Sequence, residues 1–310
     1  MAADKGMIVV GDSSNKLLSE EIAEKTGSEI IYPEITVFPD SEQRVRIDSE
    51  KIQGERVCLV KSVGMPVDSE LLQFSFLASA LINSGADKII GIIPYLPYMR
   101  ADHVFRTGEG IPLEIVIKVI EASGLNEIVI VDPHSIKTPE MFKIKVHDLS
   151  ALPLFAKKIK EIEPDSANIT IVSPDMGGLR RLELLDQLLG GNINQVRINK
   201  DRDYESGSIK VAEYTGEIKG KCFIVDDIIS TGKTIVQAVE KLASNGADEV
   251  YVFATHGVFS EKALDLLESS SASRIFVTDS IPVPSEKRPE KLEILPIAAL
   301  LASSYSEPQQ

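Results

Sequence analysis

Apolar residues along this chain fall into short unbroken runs, and the segments between the runs carry apolar positions at helical spacing. MIVV at 7–10, EIVIVD at 127–132, ITIVSPD at 169–175 and RIFVTD at 274–279 are runs of the first kind, closed by polar residues or turns. LPLFAKKIKEI at 152–162 is of the second kind, as is the stretch with Ile235, Val236, Val239, Leu242 and Ala243, whose i, i+1, i+4, i+7, i+8 spacing marks one helix face. Strands that are apolar throughout are covered on both faces. Their alternation with helices predicts an α/β fold with parallel sheets flanked by helices. In such folds ligands bind beyond the carboxyl ends of the strands. Chemistry is therefore expected at the polar strand ends Asp132, Asp175, Asp226-Asp227 and His256.

The pattern occurs twice. NSGADKI at 83–89 matches SNGADEV at 244–250, each after a helical segment and before an apolar strand. IQGERVCLV at 52–60 matches IKGKCFIV at 218–225 in the same order. Strand, loop, helix, Gly-Ala-Asp and strand thus repeat about half a chain apart, which predicts two similar domains. They are placed at 1–148 and 149–290, with a tail at 291–310 of a strand and a helix-like end that packs back on the first domain.

Length agrees, since 310 residues exceed what one core usually covers. No apolar run reaches the length of a membrane span, and the short charged start Met1 to Gly6 has no apolar core of a signal peptide, so a cytoplasmic protein without membrane contact is expected. Cys58 and Cys222 lie in apolar runs and read as buried small residues. The net charge of −14 argues against nucleic acid as a partner, though not against phosphate held by local donors or a metal ion.

The sharpest local feature is Asp226-Asp227-Ile228-Ile229-Ser230-Thr231-Gly232-Lys233-Thr234, set between an apolar strand and an amphipathic helix. The unpaired N–H groups at a helix start, with the helix dipole, form an anion site. Ser230, Thr231 and Thr234 add hydroxyl donors, and Gly232 permits close backbone approach. Gly232-Lys233-Thr234 is not a Walker A loop, because the glycine required five residues earlier is Asp227. Two acids there would repel nucleotide phosphates but suit the neutral 2- and 3-hydroxyls of a ribose. A phosphate pocket beside a diol-binding acid pair describes a ribose 5-phosphate site. The plainer alternative is a helix start after a strand with exposed acids.

This segment resembles the phosphoribosyl pyrophosphate loop of the type I phosphoribosyltransferase fold, shared by phosphoribosyltransferases and by ribose-phosphate pyrophosphokinases. Other segments resemble the pyrophosphokinases in particular. Phe38-Pro39-Asp40-Ser41-Glu42 resembles their F-x-D-G-E motif, which implies an ATP-contacting loop that reaches a neighbouring subunit. Pro94 to Asp102 resembles P-Y-x-x-Y-A-R-Q-D, implying that Arg100 and Asp102 belong to the ATP site. Asp132-Pro133-His134 resembles D-x-H, whose histidine helps hold Mg2+ with ATP, and Ser173 to Gly178 resembles S-P-D-x-G-G, whose aspartate, here Asp175, binds metal near the ribose. Asn199-Lys200-Asp201-Arg202 resembles the catalytic flexible loop. Each segment has a plainer reading alone: a core Phe38, a surface Arg100, a satisfied His134, a helix-capping Asp175, an ordinary polar loop at 199–207. Their order along the chain favours the resemblance.

Three positions depart from the pattern: Ser41 replaces a glycine, Ala101 a glutamine, and Lys233 a small residue. The resemblance implies transfer of a diphosphoryl group from ATP to ribose 5-phosphate with Mg2+, in a homo-oligomer with the dimer as minimal unit and a larger ring as an option. Ser230 to Thr234 would hold the 5-phosphate and Asp226 and Asp227 the ribose hydroxyls. Lys200 and Arg202 would neutralise charge on the transferred phosphates, Arg202 close to the sugar phosphate as well. A phosphoribosyltransferase and a non-catalytic regulatory paralogue are the alternatives.

Overall fold

The computed structural model describes residues 7–202 and 209–304, without the side chains of 176, 199–202 and 209–213. The chain forms two compact units. The first takes the residues up to Leu149, then 280–282 and those from Pro296 on; the second takes 150–279 and 283–295.

The first unit contains β1 (Ile8–Gly11), α1 (Lys16–Thr26), β2 (Glu29–Ile31), β3 (Glu34–Val37), β4 (Gln43–Arg46), α2 (Ser49–Ile52), β5 (Arg56–Val60), α3 (Val67–Asn83), β6 (Lys88–Ile92), α4 (Pro112–Ala122), β7 (Glu127–Val131) and β8 (Lys145–Leu149). Six strands form a parallel sheet in the order β2-β1-β5-β6-β7-β8, while β3 and β4 form a separate antiparallel hairpin. The helices start and stop where local chemistry dictates. Asn15 caps α1 by accepting from the Leu18 N–H at 3.3 Å, and Gly27 ends it in the left-handed region at φ 64°. Phe74, Leu77 and Leu81 of α3 and Ile117 and Ile120 of α4 are buried with Val57, Leu59, Ile89 and Ile128 of the sheet. Each full burial of such a side chain is worth about 1.5–3 kcal/mol.

The second unit contains α5 (Leu152–Ile162), β9 (Ile169–Ser173), α6 (Leu179–Leu189), β10 (Asn194–Arg202), β11 (Ile209–Thr215), β12 (Lys221–Ile229), α7 (Lys233–Ala243), β13 (Glu249–Gly257), α8 (Ala263–Glu268), β14 (Arg274–Thr278) and β15 (Leu292–Leu295). Its seven strands run in the order β11-β10-β9-β12-β13-β14-β15, parallel except for β11. Phe223, Phe253 and Phe276 cluster in the core, the rings of Phe253 and Phe276 stacked with centroids 4.5 Å apart and that of Phe223 tilted against Phe253. α9 (Ala298–Ser303) then returns to the first unit, where it packs on α1. Of the residues expected in a tail, Leu292–Leu295 instead adds an edge strand to the second sheet, because β14 offers it an open parallel edge.

Both sheets reverse direction in the same way. The chain passes from β1 to β2 on one side and resumes with β5 on the other; it passes from β9 to β10 and resumes with β12. The switch points, between β1 and β5 and between β9 and β12, are where parallel sheets open a ligand crevice. Cys58 and Cys222 are both buried and form no disulfide with each other. Among the described residues no helix is long and apolar enough to cross a membrane.

Candidate active site

The switch point of the second sheet gathers the acids that the sequence singles out. β12 carries Asp226 and Asp227 near its end, and β9 leads through Pro174 to Asp175. The strand alternates through the pair, so Asp227 is buried and Asp226 half-buried. Asp175 turns its carboxylate onto the following 3-10 turn, accepting from the Gly177 N–H at 3.0 Å, while the Ser173 hydroxyl donates to the Asp175 carbonyl at 2.7 Å. Asp175 thus caps that turn and lies near enough to Asp226 for its charge to act on that carboxyl.

Arg181, in the first turn of α6, spans the acid pair. Its Nη1 lies 3.1 Å from Asp226 Oδ1 and its Nη2 3.2 Å from Asp227 Oδ1. Sequence reading passes over this residue. The available signal is its place one turn behind Ser-Pro-Asp-x-Gly-Gly, since helical side chains lean back toward the N-terminus and here reach the switch point. The clamp does not cancel the acids' charge. Burial pushes the Asp226 carboxyl well above the usual carboxylate range, and the neighbouring Asp227 and Asp175 push it the same way; Arg181 opposes them. The crevice therefore attracts a cation or hydroxyl donors.

The phosphate-type loop follows directly. Ser230 and Thr231 form the turn, and Gly232 stands at φ 74° as the residue before α7. The left-handed backbone is what requires glycine there, as a Cβ would meet its neighbours only at ordinary contact, 3.5 Å or more. No side chain caps α7, so its first-turn N–H groups are left for an anion. The Ser230 hydroxyl lies 3.0 Å from that of Ser260. Thr234 is half-buried in the first turn. Lys233 points outward, exposed, with its Nζ 3.5 Å from Glu261. His256 is fully buried in β13 opposite Ile228, inside the sheet.

Lys200 and Arg202 lie in strand β10, paired with β11 at Lys200↔Val211 and Arg202↔Ile209. The flexible loop expected at 199–202 is therefore one arm of a hairpin. The partner strand supplies the pairing that a polar stretch does not advertise. Their side chains, and residues 203–208, lie outside the described residues.

In the first unit Phe38–Glu42 is the tight turn between β3 and β4. The Phe38 N–H donates to the Glu42 carbonyl at 2.8 Å, the Glu42 N–H to Asp40 Oδ1 at 3.1 Å, and Arg44 lies over the Phe38 ring at 5.5 Å. Asp40 and Glu42 are exposed. Ser41, where the family pattern has glycine, stands at φ 72°. Arg100 is exposed in the loop after β6, and Asp102 lies 2.6 Å from His103 Nδ1. His134 is exposed just past β7, after Asp132 at φ 39°. His134 thus belongs to the first unit and Asp175 to the second.

A family model described as the N-terminal domain of ribose phosphate pyrophosphokinase matches residues 7–124, and one described as the phosphoribosyl synthetase-associated domain matches 205–307. The ribose-phosphate pyrophosphokinase of Fusobacterium nucleatum is 34% identical over 297 residues, 96% of this chain and 93% of that protein. That of Aquifex aeolicus is 34% identical over 306 residues, 98% of this chain and 96% of its own. The crystal structure of phosphoribosylpyrophosphate synthetase from Mycobacterium smegmatis superposes with a TM-score of 0.89 at 30% identity, covering 97% of each chain. With the acid pair, the anion loop and near-complete alignment in agreement, this chain belongs to the ribose-phosphate pyrophosphokinase family.

Proposed function

We propose that the chain is a ribose-phosphate diphosphokinase. It transfers the β,γ-diphosphoryl group of ATP to the 1-hydroxyl of ribose 5-phosphate, giving phosphoribosyl pyrophosphate and AMP for nucleotide biosynthesis. The observation that carries this reading is the direct succession of a buried acid pair and an uncapped helix start, Asp226-Asp227 to α7, at the switch point of the second sheet. The 5-phosphate sits on the Ser230–Thr234 loop, and the ribose hydroxyls face Asp226 and Asp227.

The sugar's O1 forms a bond to the β-phosphorus and gives up its proton to solvent, the bond from that phosphorus to the oxygen bridging to the α-phosphate breaks, and AMP carries that oxygen away. Such a transfer needs in-line positioning and charge neutralisation more than covalent help. Lys200 and Arg202 supply positive charge to the moving phosphates. Phe38, Asp40, Glu42, Arg100 and Asp102 form the ATP side, within a homo-oligomer whose minimal unit is a dimer and whose setting is the cytoplasm.

Mg2+ fits the donors. The second unit offers hard carboxylate oxygens from Asp175 and the 226–227 pair, and burial first, then repulsion from Asp227, raises the Asp226 pKa, both of which a bound cation offsets. In the first unit, the family pattern assigns His134 to Mg2+ held with ATP. Among the described residues no group of three or more His, Cys, Asp or Glu is arranged to hold an ion by itself. Protein would thus supply part of the coordination shell, and water and phosphate oxygens the rest. When bound, the ion neutralises phosphate charge and aligns ATP with the sugar.

The test is nucleotide analysis after incubation with Mg2+, ATP and ribose 5-phosphate. AMP formed one for one with phosphoribosyl pyrophosphate, and only with the sugar phosphate present, is expected. ADP as product, or no turnover, overturns the reading.

A further inference from the structure

Asp12 and Asp175 occupy the same place in their two units. Each follows the first strand of its sheet in extended backbone, at φ −122° and −158°, and accepts from the N–H two residues on, at 2.9 and 3.0 Å. Across the switch, β5 corresponds to β12, and the sequence repeat matches Val60 to Val225. Lys61 therefore stands in the first unit where the Asp226–Asp227 pair stands in the second. The crevice that takes a ligand in one unit is filled in the other by the chain's own ammonium.

Lys61 is completely buried. Its Nζ contacts the Asp12 carboxylate, lies 2.7 Å from Glu70 Oε2, and donates to Gln73 Oε1 at 2.7 Å. Three donors thus meet three acceptors. The relay continues outward. Gln73 Nε2 donates to Gln43 Oε1 at 2.8 Å, and Gln43 Nε2 donates to Ser69 Oγ at 2.9 Å. Gln43 opens β4 and directly follows Glu42, so the relay ends at the base of the turn that carries Asp40 and Glu42.

A well-packed apolar group is commonly as stabilising as a buried ion cluster, because desolvation offsets most of the Coulomb gain. What an apolar group cannot do is fix Gln73, and through it Gln43, in one orientation. We propose that Lys61 is a positioning residue for the donor-nucleotide turn: through Gln73 and Gln43 it holds Phe38–Glu42 in place before ATP arrives. The proposal rests on reading Asp40 and Glu42 as ATP contacts.

The chain has no tryptophan, so Phe38→Trp places a single fluorescent reporter on the turn. In that background, Gln73→Leu interrupts the relay midway and Gln43→Ala removes its last link; Lys61→Met removes its origin. Since Lys61→Met leaves buried carboxylates and threatens folding, the two glutamine variants carry the test. Expected is a lower fluorescence anisotropy of the reporter indole without nucleotide. With otherwise native Phe38, the expected KM for ATP is raised about tenfold, the scale of one lost hydrogen bond, at unchanged KM for ribose 5-phosphate. Unchanged anisotropy in both glutamine variants overturns the relay whatever the turn binds. If anisotropy falls while Asp40→Ala and Glu42→Ala leave the KM for ATP untouched, it is the reading of the turn as an ATP contact that fails. A parallel rise in both KM values marks general loosening and also overturns the proposal.

Discussion

Arg181 Nη2 stands 3.2 Å from Asp227 Oδ1 while its Nη1 reaches Asp226, so one guanidinium holds both acids at the second sheet's switch point in a fixed fork. Removing it leaves adjacent carboxylates facing each other in a mostly buried crevice, a loss on the order of 3 kcal/mol for a broken buried pair. Arg181→Met is expected to lower the melting temperature and to raise the KM for ribose 5-phosphate more than that for ATP. Arg181→Lys restores charge without the fork and is expected to recover stability only in part. Thermal melts with steady-state kinetics in each substrate check this. Equal KM changes for both substrates would count against a local role.

Gly232 tests the anion loop. At φ 74° any other residue costs about 1–2 kcal/mol of backbone strain, and the space around it spares the substitution a clash. Gly232→Ala is therefore expected to fold, at slightly reduced stability, with a shifted α7 start and weaker phosphate contact. Ribose 5-phosphate affinity, measured by calorimetry, should drop at least tenfold. Unchanged affinity would remove this loop from the phosphate site.

Much of the fold and part of the site are legible in the residues alone. Unbroken apolar runs mark the buried parallel strands, and the paired Gly-Ala-Asp segments mark two like units, because both signals are local and periodic. Asp226 to Thr234 is legible for the same reason, as strand, acids, turn and helix start follow one another directly. Arg181 is not, because its meaning lies in a contact 45 residues away in the chain. Lys61 escapes notice because a lysine after an apolar strand ordinarily reads as solvent-facing, and only the fold shows three acceptors around it. The β10–β11 hairpin escapes because Asn199–Arg202 is polar and takes its strand form from a partner.

Glu127 predicts an acid-sensitive element. It opens β7 between the first residues of β6 and β8, 2.5 Å from Lys88, 2.6 Å from His147 and 3.6 Å from Lys145. Burial alone would raise its carboxyl, but hydrogen bonds from Lys88 and His147, with the charges of Lys88 and Lys145, outweigh it and hold the pKa down to about 2 from an ordinary 4.5. A depressed carboxylate contributes stability that is full above its unfolded pKa and lost as pH falls toward the folded one. Glu127→Gln should thus cost about 1 kcal/mol at neutral pH, with the gap to the native chain closing between about pH 4.5 and 2. Urea titrations at several pH values measure the gap, and a constant difference across that range would contradict the assignment.

Ser41 predicts a substitution that improves on the native turn. Its φ of 72° lies where glycine is at ease and where serine carries strain of about 1–2 kcal/mol. Ser41→Gly relieves that strain but gives the unfolded chain more freedom, which takes back roughly 0.5–1 kcal/mol. The net expectation is a melting temperature equal to or slightly above the native one. Ser41→Val adds a β-branched side chain in the same backbone region, the least tolerated case, and is expected to lower it. Because the turn carries Asp40 and Glu42, the two variants should also part in kinetics, with the valine variant raising the KM for ATP and the glycine variant leaving it near native. Melts and ATP titrations on the pair decide the matter. If Ser41→Val is as stable as Ser41→Gly, the left-handed turn is not what constrains position 41.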